Sequence, residues 1–305
     1  MHRYFHIIFV TVVFLLLLIS FFLPYVQHEP AVKQYRYDES DTLVEAAPFS
    51  PSRKYWFGTD RRGEDLFYKI MDGAKYTIFI ALFVAVVRVI VSLCIGFLMS
   101  NVKRKSAFFH HFVMNLQLFP QTIFCFFLLT PFVMYEIRTE QVVTNIQLLY
   151  IQIAVFILVA VPSLTRLFQQ EIQQLWQKEY VQSSFLLGGS KGHVFRTHLI
   201  KALGPQIVFQ VGEQMVQVLL LMLHLSIFKL FLGGTKIVSG QTHDEFNLYF
   251  PYLNEWSNLI SYYYVELMIE PRIIMIPVLL YMILLFCMTK IVNGYKELQF
   301  EKGRL

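Results

Sequence analysis

The chain has 305 residues, 56% of them hydrophobic and only 15% charged, with a formal charge of +5 at neutral pH. Soluble domains carry about a quarter charged residues, so an ordinary soluble fold is excluded. The basic residues cluster at the ends of apolar runs, where they read as orientation signals in a bilayer and not as a nucleic-acid surface.

The apolar runs are continuous instead of alternating, which disfavours a β-barrel and favours helices of about 20 residues crossing about 30 Å of hydrocarbon. Residues 7–23 form the first run, with Arg3 before it and Pro24 after it. A cleaved signal peptide needs small residues at its end, and Phe21-Phe22-Leu23-Pro24-Tyr25 supplies bulky ones. Residues 1–26 are therefore expected to be a retained first transmembrane helix that starts in the cytoplasm. Residues 27–75 are polar and contain Pro30, Pro48 and Pro51. They read as an extracellular segment in which Arg53, Lys54, Arg61 and Arg62 are interleaved with Asp60, Glu64 and Asp65, and Tyr55-Trp56-Phe57 suits the headgroup level. At its end, residues 57–66 have turn chemistry: Gly58 and Gly63 permit unusual backbone angles, and Asp60 and Asp65 are placed to cap a following short helix.

Five further spans are expected within residues 76–305. The second covers 76–100, is interrupted by Arg88, and is followed by the basic Lys103-Arg104-Lys105. The third, 108–135, contains Pro120 and Pro131, and an external turn over 136–141 leads to the fourth at 142–164. The fifth covers 205–232 and the sixth 273–292, separated by an aromatic-rich external segment at 233–271. Lys290, Lys296, Lys302 and Arg304 then return the chain to the cytoplasm. Hydropathy and charge alone thus give an all-α, polytopic, multi-pass membrane protein with six transmembrane helices and both termini cytoplasmic.

Between the fourth and fifth spans lies a long polar interval, about 165–205. From Glu179 it reads EYVQSSFLLGGSKGHVFRTHLIKALGP. Two short helices meeting at Gly188–Gly189 are expected, since glycine permits the angles of a sharp helix-to-helix bend. A basic loop of this length faces the cytoplasm and offers a soluble partner a place to dock.

In the fifth span Gln206, Gln210, Glu213, Gln217 and His224 recur at helical spacing and fall within one stripe. Amides and a carboxylate in a membrane need partners or water. The stripe is either glue between helices or the wall of a wet pathway, and its length favours the pathway. Gln117 and Gln121 of the third span are candidates for the same space. Arg88 and Glu213 are the charges deepest in apolar sequence, so an intramembrane ion pair between them is one expectation; separate cavity-facing positions are the other. Lys229 lies near an outer span end, where its side chain could reach the interface. Glu213 and His224 as an intramembrane enzyme pair would stand about 16 Å apart along a helix, too far for direct cooperation. Cys94, Cys125 and Cys287 have no CxxC spacing, and His110, His111, His193 and His198 have no partners at ligand spacing, so no metal site is expected. Neither a P-loop nor a hydrolase motif occurs, so the chain is not expected to hydrolyse nucleotide itself.

Several stretches resemble one family. Gln182-Ser183-Ser184, three residues, then Gly188 is similar to the EAA loop of bacterial ABC importer permeases, with Gln182 in place of Glu, serines in place of both alanines, and Lys201 where a proline is usual. Gly189-Ser190 and His198 resemble the version in dipeptide, oligopeptide and nickel permeases. Gly58-Thr59-Asp60, Gly63 and Asp65 match the GTD-x-x-G-x-D signature of the DppC/OppC class, and 255–260 (EWSNLI) is similar to its EWGNML-like stretch. Leu225-Ser226 survives from an LSFLGLG-like run, but its glycines do not. The likeness covers about 57–100 and 175–300. It implies a type I ABC importer permease bundle in a bacterial cell membrane, with peptides as cargo and nickel or metal chelates as the rival cargo. The implied partners are a second, OppB/DppB-like permease subunit, an extracellular solute-binding protein, and two ATPase subunits that hold the ATP and Mg. In that reading Glu179, Tyr180, Gln182, Ser183, Ser184, Gly188, Gly189 and Ser190 couple to the ATPase, while Gln210, Glu213, Gln217 and His224 line the pathway. A membrane sensor subunit is the alternative from another class.

Overall fold

The computed structural model describes residues 2–26, 34–37, 43–100, 119–139, 145–239 and 247–301. Its long helices are α1 (His2–Val26), α2 (Leu66–Ser100), α3 (Gln121–Thr139) and α4 (Asn145–Trp176). After the short α5 (Glu179–Leu186) and α6 (Lys191–Val194), a π-helical turn at Phe195–Leu199 leads into α7 (Ile200–Ile227). Next come the short α8 (Trp256–Tyr262), a 3-10 turn at Tyr263–Met268, and the long α9 (Pro271–Glu301). Two antiparallel ribbons, β1 (Tyr35–Tyr37) with β2 (Leu43–Ala46) and β3 (Thr235–Ser239) with β4 (Asn247–Pro251), decorate the two segments read as external.

Four helical stretches are long and apolar enough to cross a membrane: Leu66–Ser100, Ile146–Trp176, Lys191–Ile227 and Pro271–Gln299. Phe9–Leu23 and Gln121–Val133 are shorter apolar helices at the first and third expected spans. The chain is therefore a helical multi-pass membrane protein, and the described residues supply four full-length spans where six are expected.

Several boundaries differ from the sequence reading. The second span was expected from 76, but α2 starts at Leu66, where the Asp65 carboxylate accepts the Phe67 amide at 2.9 Å and caps the helix. Lys69, Asp72 and Lys75 give this first part the look of a loop. Each is satisfied locally: Lys69 pairs with Asp60 and Glu64, and Lys75 with Asp72 at 2.6 Å. α3 is helical from Gln121, the expected start of that span at 108 lying outside the described residues, and it runs through Thr139, where an external turn was expected from 136. The interval 101–118, with Gln117, His110 and His111, lies outside the described residues. α4 continues past 164 to Trp176, because Leu164, Phe168 and Ile172 carry its buried face onward at i, i+4 and i+8. α7 starts ahead of Pro205, which sits inside it, and ends at Ile227 instead of 232.

α2 packs against both α4 and α7 and forms the centre of the bundle. α1 lies against α2 and α9, where the buried Ser20 hydroxyl accepts the Lys75 amide at 2.9 Å. α3 covers α4 and α7. A second, smaller core at one end joins Val89 of α2, Phe168 and Ile172 of α4, and Val181, Val194, Leu199 and Leu203 from the polar interval.

Candidate functional site

The interval between α4 and α7 is a built unit, held by that second core. Val181 of α5 is fully buried, Phe195 lies over Phe97 with ring centroids 3.9 Å apart, and Tyr180 approaches the His198 ring at 6.2 Å. The expected pair of short helices is present. α5 closes when Gly188 takes φ +90° and the Gly189 amide donates back to the Ser184 carbonyl at 3.1 Å, a glycine-terminated helix end. Ser190 caps α6 by accepting the His193 amide at 3.3 Å. Glu179 opens α5, and its carbonyl accepts the Ser183 hydroxyl at 2.9 Å; Glu179, Gln182 and Ser183 face solvent. At the tip Leu186 and Leu187 are 90% and 89% exposed. Two leucines with nothing beneath them on an otherwise polar bend are an unpartnered apolar tip.

Residues of α3, α4, α7 and α9 line an open cavity of about 730 Å³ on the side of the bundle. Gln210, Glu213 and Gln217 of the predicted stripe line it, as does Gln121 of α3, with Arg166 of α4 and Lys296 of α9 on the facing walls. The other two stripe residues do not line it. Gln206 faces Glu171 of α4, and His224 meets the Thr122 hydroxyl at 3.2 Å. The stripe is thus wall at its centre and interhelical glue at its ends.

The expected Arg88–Glu213 ion pair is not formed. Arg88 is completely buried, and its Nε and Nη2 both donate to the Phe156 carbonyl, at 2.9 and 2.6 Å. Its Nη1 donates to Gln214 Oε1 at 3.1 Å. Neutral acceptors satisfy the guanidinium, the Phe156 carbonyl from α4 and Gln214 from α7, whereas Glu213 lines the cavity. Gln214 escaped the sequence reading although it stands four residues after Gln210 and three before Gln217, the same spacing that exposed the others.

On the opposite side of the bundle, the signature residues form a knot. Asp60 Oδ1 accepts the Arg62 and Glu64 amides at 2.9 and 3.0 Å, closing the turn. Its Oδ2 accepts Lys69 Nζ at 2.8 Å and the Tyr263 hydroxyl at 3.0 Å. Asp60 therefore pins the 3-10 turn to the start of α2 instead of capping a short helix, while Asp65 caps the long α2. Burial, then the Asp60 charge, pushes the Tyr263 hydroxyl well above the ordinary phenol value, so it remains a donor. The Thr59 hydroxyl accepts the Phe49 amide at 2.8 Å, and Gly63 supplies the turn's second positive φ. Gly58 has φ +77°, and a Cβ there would stand 2.5 Å from the Phe49 carbonyl oxygen. Gly58→Ala is expected to cost about 2 kcal/mol through backbone strain and this clash. A heat-stability midpoint equal to wild type in detergent would contradict it.

Glu255 is the knot's second anchor. Its buried carboxylate accepts the Ser257 and Asn258 amides at 3.0 Å each, the Ser257 hydroxyl, and the Thr77 hydroxyl of α2 at 3.1 Å. Burial raises its pKa while these donors pull it back. Glu255→Ala strands two buried amides and removes the cap of α8, an expected loss of about 3 kcal/mol. Chemical denaturation in micelles checks this, and a loss under about 1 kcal/mol would count against it.

No family model matches the chain. A protein of Brucella abortus biovar 1 named as a peptide permease is 27% identical over 162 residues, 53% of this chain and 50% of that protein. The chain thus spans about half the length of the Brucella relatives it matches. The oligopeptide transport system permease protein OppC of Haemophilus influenzae is 22% identical over 291 residues, 95% of this chain and 84% of that protein. The Bacillus subtilis OppC is 39% identical over 61 residues, 20% of each chain. These relatives support a permease of the DppC/OppC class.

The turn after α7 is where the chain departs from the run it resembles, because Lys229 stands where that run has its first glycine. Lys229 keeps the glycine-type backbone, φ +61°, at a cost of about 1 kcal/mol for a residue with a Cβ. Its Nζ does not reach out to the interface but donates to the Ser261 carbonyl at 2.7 Å, and burial holds its pKa below the usual range. The chain keeps the turn without the glycine and fastens it to α8. Gln152, buried in α4, completes the fastening by donating to the Phe231 carbonyl and accepting the Gly233 amide, each at 2.8 Å. Among the described residues no cluster of histidine, cysteine or carboxylates is arranged to hold a metal, and the three cysteines are free.

Proposed function

We propose that this chain is the transmembrane subunit of an ABC importer that moves oligopeptides or dipeptides into a bacterial cell. The observation that carries the reading is the rigid bend at Gly188, seated on the ends of α2 and α4 and presenting the exposed Leu186–Leu187 tip. In this reading the bend faces the cytoplasm, as do both termini, and α5 docks into a groove of one ATPase. Two ATPase subunits bind the ATP and Mg, and this chain contributes no nucleotide site. A second permease subunit completes the pathway, and an extracellular solute-binding protein delivers the peptide. α6 and the π turn continue into α7, so a push on the bend reaches the cavity-lining Gln210, Glu213 and Gln217 through one nearly continuous helix. Coupling requires the ATPase to hold the bend differently in its two states; equal binding in both transmits nothing.

Affinity purification of the tagged chain from its native membrane tests the reading. An ATPase and a second multi-span subunit are expected to co-purify in stoichiometric amounts. Recovery of the chain without either would overturn it.

A further inference from the structure

The buried Arg88 fixes more than the packing of α2. A guanidinium can only donate, so Gln214 must turn its carbonyl oxygen to Arg88 Nη1, at 3.1 Å. That leaves the Gln214 amide nitrogen as a donor, and it donates to Gln217 Oε1 at 3.2 Å, one turn along α7. With its oxygen turned to Gln214, the exposed Gln217 presents its N–H groups to the cavity it lines. A charge-assisted bond at the head of such a chain polarises the amides that follow. Arg166 and Lys296 add positive charge to the same walls, against Glu213.

We propose that the Arg88–Gln214–Gln217 relay makes the cavity wall at Gln217 a subsite for the C-terminal carboxylate of a peptide. The permease then reads the end of its cargo itself, in addition to any selection made at delivery. This inference rests on the peptide-import reading. Glu213, on the same helix one turn away from Gln217, marks the direction in which a peptide's ammonium would be accommodated.

The test is uptake of labelled trialanine against trialaninamide by cells carrying the complete importer, with the same binding protein throughout so that only the permease varies. Gln214→Glu supplies acceptors to both neighbours, so Gln217 must reverse and show its oxygen to the cavity. Gln217→Met removes the donor at an exposed position and leaves the buried core untouched, which covers the case in which the buried variant fails to fold. The acid-to-amide uptake ratio is expected to fall about tenfold in each. An unchanged ratio in both variants, with trialanine still entering, overturns the relay and leaves the importer standing. A fall confined to Gln217→Met in well-folded proteins also overturns the relay as the cause. If the wild type takes up neither compound, the import reading falls and the subsite with it.

Discussion

Valine at position 188 is expected to abolish uptake while the assembled importer continues to hydrolyse ATP. Gly188 sits at φ +90°, in the left-handed region, which a β-branched residue does not adopt without strain of about 1–2 kcal/mol or more. Nothing stands within 4 Å of where its Cβ would be, so the penalty is backbone strain and not collision. α5 has eight residues, too few to be stable alone, and it depends on the closing Gly189–Ser184 bond and on Val181 in the second core. Straining the bend therefore unseats the helix that the ATPase is proposed to grip. Asparagine tolerates the left-handed region better, so Gly188→Asn is expected to keep most of the transport that Gly188→Val loses. Uptake and ATPase rates measured side by side in proteoliposomes check both; full uptake by the valine variant would contradict the assignment of this bend.

Replacing Arg88 by leucine is expected to cost about 3 kcal/mol of stability, read as the fraction surviving a heat step in detergent. The substitution removes three donors from a fully buried junction of α2, α4 and α7 and strands Gln214 Oε1. Removing both members is cheaper than removing one, because no orphaned polar atom is left. The double variant Arg88→Leu with Gln214→Leu should therefore recover part of the loss. Exchanging the charges of Arg88 and Glu213 should recover none, since that pair is not formed. Rescue by the exchange, or a heat profile unchanged by Arg88→Leu, would count against this hub.

Much of this was legible in the chain. Hydropathy located the helices, the two glycines located the bend, and period-3.6 counting put Gln210, Glu213 and Gln217 on one wall. Partners distant in sequence were hidden. Asp60 was read as a local cap because nothing nearby announces that it accepts the hydroxyl of Tyr263, 203 residues away. Gln152 escaped notice, and Glu255 and Asn258 were singled out only by the family likeness, for the same reason: their buried hydrogen bonds belong to tertiary packing and leave no local pattern. Polarity also misled the boundaries. Lys69, Asp72 and Lys75 look like loop until Lys69 is seen to pair with Asp60 and Glu64 and Lys75 with Asp72, and α4 was stopped at 164 because charged and amide residues follow, though Phe168 and Ile172 continue its buried face. Arg88 drew attention for the right reason, burial of a charge, and was paired wrongly because a backbone carbonyl cannot be singled out in a sequence.

Site-specific photo-crosslinking from position 187 in the assembled importer is the most direct test of the bend as a docking element. Leu187 is almost wholly exposed, so a photoreactive residue there should leave the fold intact. The account predicts a crosslink to the ATPase whose yield changes between nucleotide-free and ATP-bound states. Crosslinking only to lipid or to an extracellular protein, or no ATPase adduct in either state, would contradict it.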